Sequence, residues 1–216
     1  MHTPSVMIKI RVAQLNDVDK VASVHIAAFQ GFFLTQLGKK FLVELYSGFL
    51  NEKSGIFLIA ENQNEIVGFA AGCIRPEDFF RDLRNKRWLQ FFCAAIPMML
   101  KQPVFVLQKL IDAFFYKGEN PSQLADSVLL SSIAVAPSFS GTGIGRMLVA
   151  EFCDQARKLG GKTVYVITDK NDNDSVNGFY RKSGFFVEST FVKTGKRQMN
   201  RLVKELHPSD GTGKEI

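Results

Sequence analysis

The stretch VLLSSIAVAPSFSGTGIGR, residues 128–146, contains the pattern that decides the fold. Its first part, Val128–Val135, is apolar and β-branched apart from two serines, which is typical of a central strand buried on both faces. Pro137 cannot continue the hydrogen-bond ladder of a strand and ends it. The glycine-rich turn Ser140–Arg146 follows, and the apolar stripe beyond it predicts a helix over Gly145–Leu159. The stretch therefore predicts a strand, a glycine-rich turn and a helix in succession.

The glycine-rich turn predicts an anion-binding site. Its glycines allow main-chain N–H groups to point into one concavity with no Cβ in the way. The helix that follows adds unsatisfied N–H groups and the positive end of its dipole, and Arg146 adds a formal charge. Such a cradle suits a pyrophosphate group.

Two other phosphate-binding patterns fit less well, and a purely structural turn is the remaining alternative. A P-loop would need Gly-Lys-Ser/Thr, which is missing here. A dinucleotide-binding fold would place GxGxxG early in the chain, with an acidic residue about 20 positions further on. In this chain a GxGxG spacing occurs late, and the next strand ends in Thr168-Asp169. A glycine cluster before a helix is, alone, a weak signal for function.

Hydrophobic periodicity and turn signals predict the other elements. Beside Val128–Val135, strands are predicted at Ile8–Val12, Ile56–Glu61, Ile66–Ile74, Thr163–Thr168, Phe185–Lys193 and Gln198–Leu206. Helices are predicted after a cap at Asn16 or Asp17, with apolar positions from Val18 to Phe29, and at Lys39–Leu50 and Asn173–Ser183. Gly31–Gly38 is expected to be a loop, and turns are expected at Asn62–Asn64 and Thr194-Gly195.

Residues 76–126 differ from the rest and are expected to form a helical insertion. Helices are predicted near Glu77–Asn85, Trp88–Leu100 and Val104–Tyr116, with Pro97 and Pro103 as breaks or helix starts. The segment combines basic residues with many aromatic ones. It fits a lid over a substrate, an element that dips into an anionic membrane surface, or a dimer interface. Nucleic-acid binding fits least, because no recognised module is present.

Composition indicates a globular protein that works in a reducing compartment. The chain has 216 residues, 46% of them hydrophobic, and a net charge of +6, which suits an anionic partner without choosing one. Its three cysteines form no CxxC pair and its three histidines have no metal-ligand spacing, so no metal site is expected. We expect one domain over residues 1–206 and a disordered tail over 207–216. The apolar stretch Trp88–Leu100 is too short to span a bilayer, no signal pattern precedes it, and a cytoplasmic location is expected.

Two segments of the chain resemble the GCN5-related N-acetyltransferase (GNAT) superfamily. Ser140–Arg146 is similar to that family's acetyl-CoA signature, Q/R-x-x-G-x-G/A, and IAVAP at 133–137 resembles the strand before it. NDSVNGFYRKSGF, residues 173–185, is similar to the family's second segment, N-x-x-A-x-x-F-Y-x-K-x-G-F. The resemblance covers Val128–Phe185. It implies a mixed α/β fold with a central, mostly antiparallel, splayed sheet, and the helical insertion would follow its third strand.

The resemblance also implies an activity and a site. The chain would transfer an acetyl group from acetyl-CoA to a primary amine by direct attack, and Tyr180 would protonate the departing thiolate as the catalytic acid. Asn173, Phe179 and Tyr180 would lie beside the cofactor. Main-chain groups would bind the pantetheine arm and the pyrophosphate, at Ile133, Ala134, Val135, Ser140, Gly141, Thr142, Gly143, Ile144, Gly145 and Arg146.

The chain departs from the family pattern at two informative positions. Ser140 replaces the usual Gln or Arg and removes one phosphate contact. Leu129 occupies a position where many relatives carry a glutamate that can act as a base, so no general base is assigned. His25 lies on an apolar helix face and is expected to be a core histidine rather than that base.

The acceptor stays open among small amines, amino sugars and peptide amines. Phe29, Phe32 and Phe33 fall where the family's acceptor-binding loop lies, so they are candidates for lining the substrate or for core packing. Peripheral membrane contact and a monomer or homodimer are all compatible with the sequence. Two other functions also remain: a non-catalytic acyl-CoA-binding module, and a membrane-surface protein that uses the insertion.

Overall fold

The computed structural model describes residues 7–103, 126–193 and 197–206. Within them, seven strands form one sheet in the order β1-β2-β3-β4-β5-β7-β6. Every neighbouring pair is antiparallel except β4 and β5, which are parallel. The strands are β1 (Ile8–Val12), β2 (Gly55–Asn62), β3 (Glu65–Ile74), β4 (Ser127–Val135), β5 (Thr163–Asp169), β6 (Phe186–Lys193) and β7 (Arg197–Glu205). The expected mixed α/β fold with a mostly antiparallel sheet is confirmed.

Helices cover both faces of this sheet. They are α1 (Val18–Ala28), α2 (Phe33–Gln36), α3 (Lys39–Asn51), α4 (Pro76–Lys101), α5 (Ile144–Lys158) and α6 (Asp174–Lys182). One face, here the α1 face, buries a core that includes Tyr46 and Phe69 beneath α1, α3 and α4. The other, the α5 face, buries Leu148, Phe152 and Leu202. The two cores hold β4 between them, because Leu129 belongs to the first and Leu130 to the second.

A bulge in β4 opens the sheet at its centre. The pairing of β3 with β4 shifts between Ala71 and Gly72, so that Ser131 has no residue opposite it. Gly72 permits the close approach, because a Cβ there would lie 2.1 Å from the carbonyl oxygen of Leu129. Beyond Leu129, β4 no longer pairs with β5. The expected splay is therefore present.

Two local predictions need correction. Gly31–Gly38 is not entirely a loop, since it contains the short helix α2. Glu77–Asn85 and Trp88–Leu100 are not separate helices, because α4 runs through both and contains Pro97. Proline costs a helix a hydrogen bond, but the neighbouring Ala95 is fully buried against Leu37 and Phe41. This packing holds the helix together where local preference would break it.

The insertion is described only in its first part. Its helix α4 follows the third strand, as expected, and packs against α3 and β3. Its outer face exposes a row of apolar side chains, Trp88, Leu89, Phe92, Ile96 and Leu100. The predicted helix Val104–Tyr116, the turn at 194–195 and the tail 207–216 lie outside the described residues, and the domain limits remain a prediction. Among the helices described, none is both long and apolar enough to cross a membrane.

Candidate active site

The turn between β4 and α5 adopts the conformation that its glycines permit. After a single 3-10 turn over Pro137–Phe139, Gly141 has a φ of +77° and Gly143 a φ of +89°. A Cβ added at either glycine would meet nothing within 4 Å. The backbone conformation, rather than crowding, therefore accounts for glycine at these two positions.

This turn presents main-chain donors that the protein itself leaves unused. The N–H groups of Gly141, Gly143, Ile144 and Gly145 have no partner among the described residues. Those of Ser140, Thr142 and Arg146 are already bonded, to the carbonyl oxygens of Pro137, Phe139 and Gly143 respectively. Four of the predicted donors are thus unpaired among the described residues, at the start of a 15-residue helix. Such an arrangement favours a bound anion.

A groove of about 340 Å³ lies beside the turn, between the first turn of α5 and helix α6. Arg146 and Lys182 supply positive charge to its lining, and Asp174 supplies a negative one. The ring of Phe179 forms part of the wall and lies 3.1 Å from the position that a Cβ of Gly145 would take. The absence of a side chain at Gly145 therefore lets α6 pack closely against the start of α5.

Tyr180 lies behind this groove in the core of the α5 face. Its ring packs between those of Phe179 and Phe185, with centroids 5.1 and 5.4 Å away. Burial raises the pKa of its hydroxyl well above the usual value, and no hydrogen bond or charge of the described residues offsets the effect. At neutral pH the hydroxyl therefore keeps its proton.

Two asparagines fasten α6 to the end of β5. The side-chain amide of Asn173 donates to Thr168 Oγ1 at 2.6 Å and to the carbonyl oxygen of Asp169 at 3.1 Å. Asn177 is buried and donates to Asp169 and to the carbonyl oxygen of Asn173, both at 3.0 Å. Asn177 was not among the residues predicted for the site. Its position within the second motif was a signal for it, since a buried amide there can fix the helix that carries Phe179 and Tyr180.

One edge of β4 is open beside this site. Ile133, Ala134 and Val135 pair with β3 on one side, and no described strand pairs with them on the other. Between β4 and β5 the splay leaves a gap of about 120 Å³. The gap is lined by Leu129, Leu130, Ser131, Ile167, Lys193 and Met199. The three predicted main-chain positions therefore lie on an edge to which an extended ligand can add.

A hydrogen-bonded chain of three side chains lies on the α1 face of β4. His25 Nδ1 is 2.6 Å from Tyr46 Oη, which is 3.1 Å from Ser132 Oγ. Burial lowers the pKa of His25 to about 4, so the imidazole is neutral at pH 7. His25 is thus a core histidine, as expected. Tyr46 was missed, because the three residues are far apart in sequence and no local pattern joins them.

The aromatic residues predicted to line the acceptor site have different environments. Phe29 packs on the His25 ring, with centroids 4.7 Å apart, and also on Phe32 at 5.5 Å. Phe32 is 55% exposed. Phe33 packs with Leu37 and Phe91 in a small cluster between α2 and α4. A role in lining the acceptor stays a prediction for all three.

The strand position at which a base would be expected has no carboxylate, and the described residues contain no candidate metal centre. Leu129 is 3% exposed and apolar, at the position where a base would be expected. In the described ranges, no three His, Cys, Asp or Glu side chains are grouped so that they could hold a metal ion.

Comparison with known proteins gives a family match to the segment that contains both motifs. Residues 116–185 match the model of the acetyltransferase (GNAT) family. No curated protein matches the chain. A GNAT-family protein from Desulfovibrio desulfuricans is 18% identical, with 94% of this chain and 100% of that one covered and a TM-score of 0.61. The expected resemblance to the superfamily is confirmed.

Two further similar structures were solved with a ligand. The PaiA N-acetyltransferase of Thermoplasma acidophilum, in complex with coenzyme A, is 16% identical (TM-score 0.57; 92% of this chain and 99% of that one covered). YncA of Salmonella typhimurium, with its cofactor acetyl-CoA, is 15% identical (TM-score 0.58; 94% and 95% covered). At these identities the structures establish a common fold.

The buried imidazole makes the free energy of unfolding depend on pH. In the unfolded chain His25 titrates near 6.5, and in the folded protein near 4, so the unfolded state binds more protons between these values. The contribution of His25 is complete above pH 6.5 and is lost as the pH falls toward 4, by about 3 kcal/mol in total. Urea unfolding of the wild type and of His25→Asn at pH 7 and pH 4.5 measures it.

We expect the variant to lose less stability than the wild type over that interval. The carboxylate of Asp17, whose pKa is lowered by Arg11, contributes equally to both proteins and cancels. Equal losses in the two proteins would show that His25 titrates normally.

Proposed function

From the GNAT fold and the family match over residues 116–185, we propose that this chain is an N-acetyltransferase that transfers an acetyl group from acetyl-CoA to a primary amine. The observation that carries the proposal is the set of amides at Gly141, Gly143, Ile144 and Gly145. Four N–H groups without a partner at a helix N-terminus are costly unless an anion or water occupies them.

The residues present fit coenzyme A. The four amides would hold its pyrophosphate, and Arg146 and Lys182 in the adjoining groove would add positive charge. The open edge of β4 over Ile133–Val135 would bind the pantetheine arm as an added strand. Phe179 would pack beside the arm. The side-chain amide of Asn173 already donates its hydrogens to Thr168 and Asp169. Of this side chain, only the oxygen would therefore be available to the cofactor.

Bound acetyl-CoA would supply an acetyl group activated as a thioester. The protein has two tasks at this group, which are to polarise the carbonyl and to provide a proton for the sulfur. A main-chain N–H of β4 near Ile133 would donate to the carbonyl oxygen. Tyr180 would hold the proton for the sulfur, since burial keeps its hydroxyl protonated across the physiological range. The nitrogen would lose one proton to solvent as the amide forms, and a proton from solvent would restore the Tyr180 hydroxyl.

The acceptor is a primary amine of a small molecule or a peptide. We place it on the α1 face of the splay, where Phe29 and the exposed Phe32 would line its path. A cytoplasmic location and either a monomeric or a homodimeric state of the protein are compatible with this activity. The exposed apolar face of α4 is compatible with a lid, a dimer interface or contact with a membrane surface.

A second function is favoured by one observation. Leu129 places no carboxylate beside the splay, as would suit a module that binds acyl-CoA without catalysis. Thiol release from acetyl-CoA, screened over polyamines, amino sugars and peptides, separates the two. The enzyme releases thiol with at least one amine class above the rate of hydrolysis, whereas a binding module shows heat of acetyl-CoA binding and no amine-dependent release.

Gly143→Asp should abolish binding of acetyl-CoA. The substitution places a carboxylate in the cradle, where it would repel the pyrophosphate and fill the space that the anion needs. Isothermal titration calorimetry measures the effect. Gly160→Asp is the matched control, because Gly160 has a similar φ of +86° and also has nothing within 4 Å, but lies beyond the other end of α5. Equal affinity in the two variants would exclude the cradle as the pyrophosphate site.

Tyr180→Phe should keep the affinity for acetyl-CoA and lower kcat by roughly 10²-fold, as expected for loss of a general acid. The ring still fills its place between Phe179 and Phe185, so only the proton donor is lost. Thiol release with the best amine measures kcat. Tyr165→Phe, at another fully buried tyrosine, controls for the loss of a buried hydroxyl. Undiminished turnover would leave Tyr180 with a packing role only.

A further inference from the structure

The hydrogen-bonded chain His25–Tyr46–Ser132 connects helix α1 to the central strand and has no part in the activity as described so far. It joins residues that lie 21 and 86 positions apart in sequence. Its inner members are buried, with His25 3% and Tyr46 0% exposed, whereas Ser132 is only half-buried. This series of hydrogen-bonded side chains therefore reaches the surface at Ser132.

The surroundings of His25 determine which way the hydrogen bonds run. Its Nε2 is buried and has no hydrogen-bond partner among the described residues. The ring contacts the aromatic rings of Phe29 and Phe69, with centroids 4.7 and 6.3 Å away. The π electrons of such rings can accept an N–H weakly, but they cannot donate a hydrogen to a lone pair. These contacts favour the tautomer of the neutral imidazole that carries its hydrogen on Nε2.

This tautomer orders the rest of the chain. In this tautomer Nδ1 has only a lone pair, so it would accept the hydrogen of Tyr46 across the 2.6 Å that separate Nδ1 from the Tyr46 oxygen. The Tyr46 hydroxyl then donates its only hydrogen to Nδ1, so its oxygen accepts the hydrogen of Ser132, whose Oγ is 3.1 Å away. Ser132 is left with lone pairs alone. A serine hydroxyl that could otherwise donate or accept is thereby fixed as an acceptor.

Ser132 lies where an acceptor of hydrogen bonds is useful. It follows the bulge residue Ser131, which lines the gap between β4 and β5, and it precedes Ile133, where the edge assigned to the pantetheine arm begins. Its side chain is on the α1 face, the side on which we place the amine. An attacking amine has N–H bonds to orient, and Leu129 provides no carboxylate for them.

We propose that Ser132 Oγ accepts an N–H of the attacking amine, and that Tyr46 and His25 are positioning residues that hold Ser132 in this role. The proposal rests on the proposed acetyltransferase function. It assigns the orientation of the amine to a neutral hydroxyl.

The tautomer can be tested without any acceptor. Nitrogen-15 NMR of the full chain at neutral pH should show His25 with a protonated Nε2 and an unprotonated Nδ1. Tyr46→Phe should move the Nδ1 resonance, because its hydrogen-bond donor is removed. A hydrogen on Nδ1 in the wild type would reverse the chain, make Ser132 a donor and overturn the proposal. This result is independent of whether the protein turns over acetyl-CoA.

Kinetics with the best amine test the role itself. Ser132→Ala and Tyr46→Phe should each lower kcat/KM for the amine about tenfold, as expected for one oriented hydrogen bond. The KM for acetyl-CoA should not change, and Ser132→Thr, which keeps the hydroxyl, should restore most of the activity. Ser47→Ala, a buried serine next to Tyr46 in α3, is the control and should behave as the wild type.

The outcomes separate the two proposals. An unchanged kcat/KM for the amine in Ser132→Ala overturns the role of Ser132 while the acetyltransferase stands. Loss of acetyl-CoA affinity in the same variant also overturns it, because the effect would then lie in the cofactor site. If the wild type shows no amine-dependent thiol release, both the proposed acetyltransferase activity and the proposed role of Ser132 are contradicted. Melting temperatures identify a variant that fails to fold. If Tyr46→Phe fails to fold, the kinetics of Ser132→Ala alone decide whether Ser132 has the proposed role.

Discussion

The short pairing between β4 and β5 is the constraint on which the rest of the structure depends. These parallel strands share only the register Ser127–Leu129 with Thr163–Tyr165 and then separate. Had the pairing continued, the main-chain groups of Ile133–Val135 that point away from β3 would be bonded to β5, and no open edge would exist. The bulge at Ser131 turns β4 away, and glycine at position 72 lets the strand approach its neighbour at that point. The site thus originates in an interruption of the sheet.

The two cores keep this interrupted sheet rigid. On the α5 face, Leu148 and Phe152 are fully buried and fix the helix whose first amides form the cradle. On the α1 face, Tyr46 and Phe69 fill the core beneath α1 and α3. Because β4 packs against both cores, the distance between its open edge and the cradle is defined even though the sheet is interrupted. A preorganised site of this kind does not have to spend binding energy on ordering its own backbone.

Local patterns predicted those parts of the fold that depend on local preference. Gly141 and Gly143 adopt the positive φ that their identity suggested, and the hairpin at Gln63-Asn64 has both residues at positive φ. Pro97 was wrongly predicted to break a helix, because the buried Ala95 beside it compensates through tertiary packing. The bulge at Ser131 could not be predicted, since no residue type marks the point at which one strand gains an extra residue.

The candidate site was predictable where one segment forms it and not where distant segments meet. The cradle and the pair Phe179–Tyr180 each lie within one motif, so a local pattern was enough to propose them. Which main-chain N–H groups of the turn are unpaired depends on the geometry of the turn. Four of the predicted donors have no partner among the described residues. The contact of Tyr46 with both His25 and Ser132 requires α1, α3 and β4 to be packed together, and no sequence spacing contains that information.

The most direct measurement on the central claim is amide NMR of the nitrogen-15-labelled chain during titration with coenzyme A. If these amides hold the pyrophosphate, saturable shifts are expected at Gly141, Gly143, Ile144 and Gly145. These shifts should exceed those of Thr142 and Arg146, whose amides already have partners within the protein. A titration that leaves those four resonances unmoved, or that shifts only residues remote from the start of α5, would contradict that claim.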